Sequence, residues 1–94
     1  MPNAAKPTLQ TDNELTRVTE WRFAPGAATG WHRHEYDYVI VPITTGTLKF
    51  IGPHDTETYA QLGAGVSYFR NAGVEHDVIN ANDYEFSFVE VEFK

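Results

Sequence analysis

Residues 30–46 read GWHRHEYDYVIVPITTG. From Tyr36 the run is rich in tyrosine, valine and isoleucine, side chains that suit a pleated sheet, and TTG closes it as a turn. No apolar period of three or four residues, the mark of an amphipathic helix, appears in it. On a strand, residues two apart share a face, so His32 and His34 project together and are spaced to share one ion. If the strand is regular, Tyr36 and Tyr38 follow on that face, either as catalytic hydrogen-bond donors to a ligand or as interior packing. Pro42 breaks the apolar run and cannot donate to a ladder, which assigns it to an edge or a bulge.

The segments on either side repeat the pattern. RVTEWRF precedes it; GTLKFIG, TETYAQL, GVSYF, EHDVIN and YEFSFVEVEF follow, each bounded by glycine, proline, asparagine or aspartate. Short strands joined by such turns predict an all-β protein, a sandwich or small barrel with little or no helix. In FSFVEVEF, Phe86 and Phe88 point to one face while Val89, Val91 and Phe93 point to the other. The second face meets either a partner subunit or the protein's own second sheet. Residues 1–14, with Pro2, Pro7 and TDNE, read as an N-terminal arm, either loose or extended against another part of the structure, and residues 15–94 as a single domain.

With 94 residues, 41% hydrophobic and 14% aromatic, the chain has the composition of a folded globule rather than a disordered segment. It has no cysteine, so any metal must be held by imidazole, carboxylate, phenolate or water. The formal charge is −6 and the seven basic residues form no cluster, which disfavours nucleic acid and anionic membranes as partners. No apolar run reaches the roughly 18 residues of a membrane span, and the first residues lack the pattern of a signal peptide; the expected address is cytoplasmic.

A third ligand for the His32–His34 pair comes from GVSYFRNAGVEHDVIN, residues 65–80. NAG forms a turn in which Gly73 suits a positive φ, and His76 begins the next β-prone run, facing inward with Val78. His54, in the turn GPHDTE, is expected to be exposed and without a role. Asp37 reaches the site only if Pro42 marks a bulge that shifts the register. Arg22 and Arg33 are candidate carboxylate holders or surface residues. Neither an inward glutamate nor a spare histidine for proton transfer is apparent, which motivates a second functional reading, a non-catalytic module.

These residues resemble the cupin family. Its first motif is Gly, five residues, His-x-His, three or four residues, Glu, six residues, Gly; Gly26, His32, His34 and Gly46 fall in register with it. Its second is Gly, five residues, Pro-x-Gly, two residues, His, three residues, Asn; Gly65, Gly73, His76 and Asn80 match every spacing, with Asn71 in place of the proline. Within the family the chain looks most like compact single-domain members labelled beta-alanine degradation proteins, which share an HRHEYDY-like stretch. The resemblance covers about residues 18–93. It implies an antiparallel jelly-roll barrel, usually dimeric, with His32, His34 and His76 holding a divalent transition metal.

The family's glutamate ligand is missing: its position falls on Tyr38 or Val39. Three neutral imidazoles leave a divalent ion its full charge and open positions. Cupins with such centres include iron dioxygenases, so the resemblance favours Fe(II), with substrate chelating two positions and O₂ taking the third; nickel, zinc, manganese and copper also suit imidazole. A Lewis-acid isomerase or lyase is a variant, and a non-catalytic metal- or ligand-binding module is the alternative. The implied partners are a small-molecule substrate or ligand and a second copy of the chain.

Overall fold

The computed structural model describes residues 3–94. Its nine strands are β1 (Lys6–Asp12), β2 (Thr16–Phe23), β3 (His32–Arg33), β4 (Asp37–Pro42), β5 (Gly46–Ile51), β6 (Glu57–Leu62), β7 (Tyr68–Arg70), β8 (Glu75–Asn80) and β9 (Phe86–Phe93). A single 3-10 turn at Pro53–Asp55 is the only helical element among the described residues. All strand pairs are antiparallel. They form two sheets, β1-β2-β9-β4-β7 and β3-β8-β5-β6. The expected all-β, antiparallel architecture is present; among the described residues the ladders stay as two sheets and do not close on each other.

The core lies between the sheets because the strands that build it, such as β4 and β9, alternate. Tyr38, Ile40 and Pro42 are buried on β4 while Asp37, Val39 and Val41 are not; Phe86, Phe88 and Glu90 are buried on β9. Phe23 from β2, Leu48 from β5 and Val78 from β8 join the cluster, as do Ala5 and Ala27, with the rings of Phe23 and Phe88 5.4 Å apart. Each large apolar side chain removed from water in this way contributes roughly 1.5–3 kcal/mol. Pro42 ends β4 opposite Phe88, beyond the reach of β7, which pairs only with residues 38–40. Its missing N–H therefore costs no ladder bond, as expected of an edge position.

Two stretches add to or differ from the sequence expectation. Residues 6–12 of the N-terminal arm form β1, paired along β2 from Lys6↔Arg22 to Asp12↔Arg17. Every residue of β1 is exposed, so backbone bonding holds it and no apolar alternation announces it. Residues 1–2 of that arm lie outside the described residues. The second difference is that 30–46 is not one strand. Pairing stops after Arg33 and resumes at Asp37, and the two halves belong to different sheets.

Candidate metal centre

The register of β3 on β8 makes His32 and His76 direct cross-strand partners. His34 lies one residue past the end of β3, yet its backbone is fixed: its N–H donates to the Val74 carbonyl (2.9 Å) and its carbonyl accepts from Gly73 N–H (2.8 Å). Gly73 makes the latter bond with φ +97°, a conformation that glycine adopts without steric cost. The NAG turn that precedes His76 thus also positions His34, which is how the two motifs converge.

His34 Nε2 stands 3.0 Å from His32 Nε2 and 3.1 Å from His76 Nε2. Adjacent ligands each about 2.0–2.1 Å from one ion are roughly 3 Å apart, so the spacing fits a common metal. The tautomers fit as well. His32 Nδ1 lies 2.9 Å from the Gly30 carbonyl, which can only accept, so Nδ1 carries the proton and Nε2 presents its lone pair. His34 Nδ1 lies 3.4 Å from Glu90 Oε2, and with that carboxylate ionised the same assignment holds. The three histidines form a group that can hold a metal ion.

Burial, aided by the charge of His32, lowers the pKa of His34 to about 4. Burial also lowers His76, to about 3, with smaller contributions from His32, His34 and Arg70. Both imidazoles are therefore neutral at pH 7, as metal ligation requires. Glu90 moves the other way: burial, reinforced by Glu92, raises its pKa to about 7, while the Trp21 indole N–H, 3.4 Å from Oε1, opposes the shift.

Glu90 corrects the expectation that no glutamate faces inward. It lies on β9 in phase with Phe86 and Phe88 and is only 8% exposed. That parity with two core phenylalanines was the signal available in the sequence. The carboxylate reaches the ring of a histidine rather than the position expected after His-x-His. That position is held by Tyr38, which stacks on His34 with ring centroids 3.9 Å apart and planes at 14°. Burial raises the Tyr38 pKa, so its hydroxyl stays protonated. Val39 lies on the opposite face of β4 and is half-buried. Asp37 is exposed and accepts from Ala72 N–H (2.7 Å), so it caps a turn instead of slipping into the site.

Tyr36 was expected to share the face of the histidines. The break between β3 and β4 removes the regular parity on which that expectation rested, and Tyr36 does not line the cavity that holds the imidazoles. The cavity has a volume of about 280 Å³; Trp21, Tyr38, Phe50 and Tyr68 contribute aromatic wall, and Arg33 also lines it. Arg33 is paired with Glu75 (3.6 Å), and Arg22, paired with Glu20 (2.9 Å), lies outside the cavity lining. His54 is exposed in the 3-10 turn with φ +62°.

Comparison with known proteins places the fold and the motifs in a family. A family model described as a cupin domain matches residues 19–92. The chain belongs to the cupin family. A relative from Pseudomonas aeruginosa, named beta-alanine degradation protein BauB, is 59% identical over 90 residues, which cover 96% of this chain and 94% of that protein. The crystal structure of a cupin domain from Bordetella pertussis matches with a TM-score of 0.97 and 56% identity, covering 100% of this chain and 97% of that one. A protein with a double-stranded beta-helix domain from Klebsiella pneumoniae shares the fold alone, with a TM-score of 0.76 at 20% identity, covering 94% of this chain and 75% of that one.

In this cupin the Glu90 carboxylate orients the ring of a candidate ligand. Glu90→Gln keeps the shape but loses the charge that favours Nδ1–H on His34. The expected result is a 10–100-fold weaker affinity for divalent metal, the usual cost of losing a partner that orients a ligand. Competition titration against a chromophoric chelator at pH 7.5 measures it, and unchanged affinity would remove Glu90 from the site.

Proposed function

We propose that the protein is a metal-dependent enzyme acting on a small organic molecule through a three-histidine centre, with non-haem iron dioxygenase chemistry as the favoured type. The observation that carries this reading is the convergence of the His32, His34 and His76 Nε2 atoms at a cavity of about 280 Å³, with the His32 tautomer set by the Gly30 carbonyl and that of His34 favoured by the nearby Glu90 carboxylate. A cavity of this size suits a metabolite rather than a polymer. The name of the Pseudomonas aeruginosa relative connects that protein with beta-alanine degradation, and this supports a catabolic role here. Fe(II) is the favoured ion; nickel, zinc, manganese and copper are the competitors for an all-imidazole site.

An ion held there supplies open coordination positions and Lewis acidity. The chain's own residues do the rest. Trp21, Tyr38, Phe50 and Tyr68 shield the reactants from water. The Tyr38 hydroxyl, kept protonated by burial, serves as a hydrogen-bond donor to the ligand. Glu90 holds the His34 ring and provides a buried carboxyl able to exchange a proton near neutral pH.

Oxygen consumption by the Fe(II)-loaded protein, measured against a panel of diketones, thiols and catechols, tests the reading. Turnover with one class and none with the His76→Ala variant is the expected result. Silence across the panel with metal bound favours Lewis-acid chemistry or a non-catalytic binding module.

The outer face of the larger sheet supports a homodimer. Val39, Val41, Val89 and Val91 lie half-buried there, with Phe69 and Phe93 exposed beside them in ladder register. Sedimentation equilibrium giving the mass of one chain would refute the dimer.

A further inference from the structure

The chain contains four arginines. Arg17, Arg22 and Arg33 each lie within 4 Å of a carboxylate, at 3.7, 2.9 and 3.6 Å from Asp12, Glu20 and Glu75. Arg70 has no carboxylate partner among the described residues. On a chain of net charge −6 a guanidinium without a counter-charge stands out, because acids outnumber bases and pairing is easily found.

Its position in the fold gives it a target. Arg70 lies on the edge strand β7, directly across from Tyr38. Cross-strand partners share a face, so Arg70 stands on the same side of the sheet as Tyr38, whose ring stacks on His34, and at the sheet edge it stays open to solvent. Its guanidinium carbon sits 4.7 Å from the centroid of the Tyr68 ring, a cation–π contact. Of its five N–H donors, one bonds the Phe69 carbonyl at 3.0 Å. A second cavity, of about 260 Å³, is lined by Arg70, Thr58, Val74 and Glu75, and shares Tyr38, Phe50, Tyr68 and His76 with the first. Glu75, the acid on this wall, already pairs with Arg33. The charge of Arg70 is near enough to influence His76, Tyr38 and Tyr68.

We propose that Arg70 binds the carboxylate of a small organic acid in the cavity that backs onto His76, and so selects anionic substrates for the centre. The planar guanidinium fork matches the two oxygens of a carboxylate, and an amide of the same size lacks the second acceptor and the charge. The word substrate rests on the enzyme reading above, whereas the carboxylate site stands on Arg70 alone.

The test separates the two. Propionate and propionamide are titrated at pH 8 into metal-free protein while the arginine Nε–Hε cross-peaks are followed by NMR. Propionate is expected to shift the Arg70 cross-peak saturably, and propionamide to leave it in place. Arg70→Gln is expected to weaken propionate binding by about tenfold or more, the loss of a charged hydrogen-bonded contact, while metal stoichiometry stays that of the parent; Arg70→Lys restores part of the affinity. If Arg70→Gln does not fold, the cross-peak of the parent protein decides. Equal responses to both probes, or propionate binding by Arg70→Gln as tight as the parent's, overturns the proposal and leaves the metal reading intact. Propionate binding by a protein that takes up no metal overturns the metal reading and leaves the carboxylate site.

Discussion

His34→Ala is expected to abolish stoichiometric metal binding. Among the three candidate ligands His34 is the hub: its Nε2 is the atom within 3.0 and 3.1 Å of the other two. Its ring is 7% exposed, stacked on Tyr38 and oriented by Glu90. Removing it leaves His32 and His76 as a two-imidazole pair beside an empty buried space. Affinity should fall by more than about a hundredfold, beyond the 10–100-fold range seen when only an orienting partner is lost. Elemental analysis of untagged protein reads the outcome directly, with about one ion per chain expected for the parent. His54→Ala is the matched control, since His54 is exposed in a turn on the β5–β6 connection, and it should retain the full complement. Far-UV circular dichroism separates loss of a ligand from loss of the fold. Stoichiometric metal in His34→Ala at the parent's affinity would falsify the three-histidine centre.

How the centre is assembled explains which parts of it were legible in the sequence. His32, His34 and His76 were legible because two local spacings each fix a backbone geometry, and the NAG turn that carries His76 also grips His34 through Gly73 and Val74. The strands themselves were legible from β-branched and aromatic runs between turn residues, because each of those runs buries alternate side chains. β1 was not, since it buries nothing along its length and is held by its backbone. Tyr36 was misplaced for a related reason: period-two reasoning holds only within one strand, and pairing stops between Arg33 and Asp37. Glu90 and Arg70 were hidden because each acts across the space between strands far apart in sequence. A search confined to the neighbourhood of His-x-His looks for a carboxylate four or five residues on, whereas the fold delivers one from β9, on the adjacent strand of the sheet to which β4 belongs. The parity of Glu90 with Phe86 and Phe88 was visible; which histidine it would meet depended on the register of β9 against β4, which no local pattern encodes.

Asn80, matched by spacing as the last residue of the second motif, shows the same convergence on the side of stability, and its replacement should have the largest effect on the fold. It is 2% exposed. The two N–H donors of its side-chain amide serve three carbonyls, those of Phe23 (3.1 Å), Ala24 (3.2 Å) and Tyr84 (2.8 Å), with one hydrogen shared. Its Oδ1 accepts from the backbone N–H (2.9 Å) and side-chain amide (2.8 Å) of Asn82. One side chain therefore ties the end of β2, the β2–β3 connection and the β8–β9 connection to β8. Asn82 in turn donates to the Thr47 carbonyl (2.9 Å) and packs where Gly46 leaves room, a Cβ at Gly46 falling 2.8 Å from the Tyr84 hydroxyl and 2.9 Å from the Asn82 amide. Asn80→Ala removes this set at once; the Ala24 carbonyl keeps the Ala27 N–H (2.9 Å), but each buried group that loses its partner costs about 1–3 kcal/mol. A loss of about 3–5 kcal/mol in urea unfolding is expected, in the range reserved for broken buried networks. A domain of this length holds roughly 5–14 kcal/mol in total, so the variant should unfold near physiological temperature. Asn80→Asp should be no better, because it points a carboxylate at the three carbonyls that the amide served. Metal should rescue part of the loss: His76 lies on the same inward face of β8, four residues before Asn80, and any ion bound by the native state alone raises its stability by mass action. A cost below about 1 kcal/mol would show that the asparagine is not what holds β8 in place, and a rescue by metal no larger in Asn80→Ala than in His34→Ala would uncouple the staple from the site.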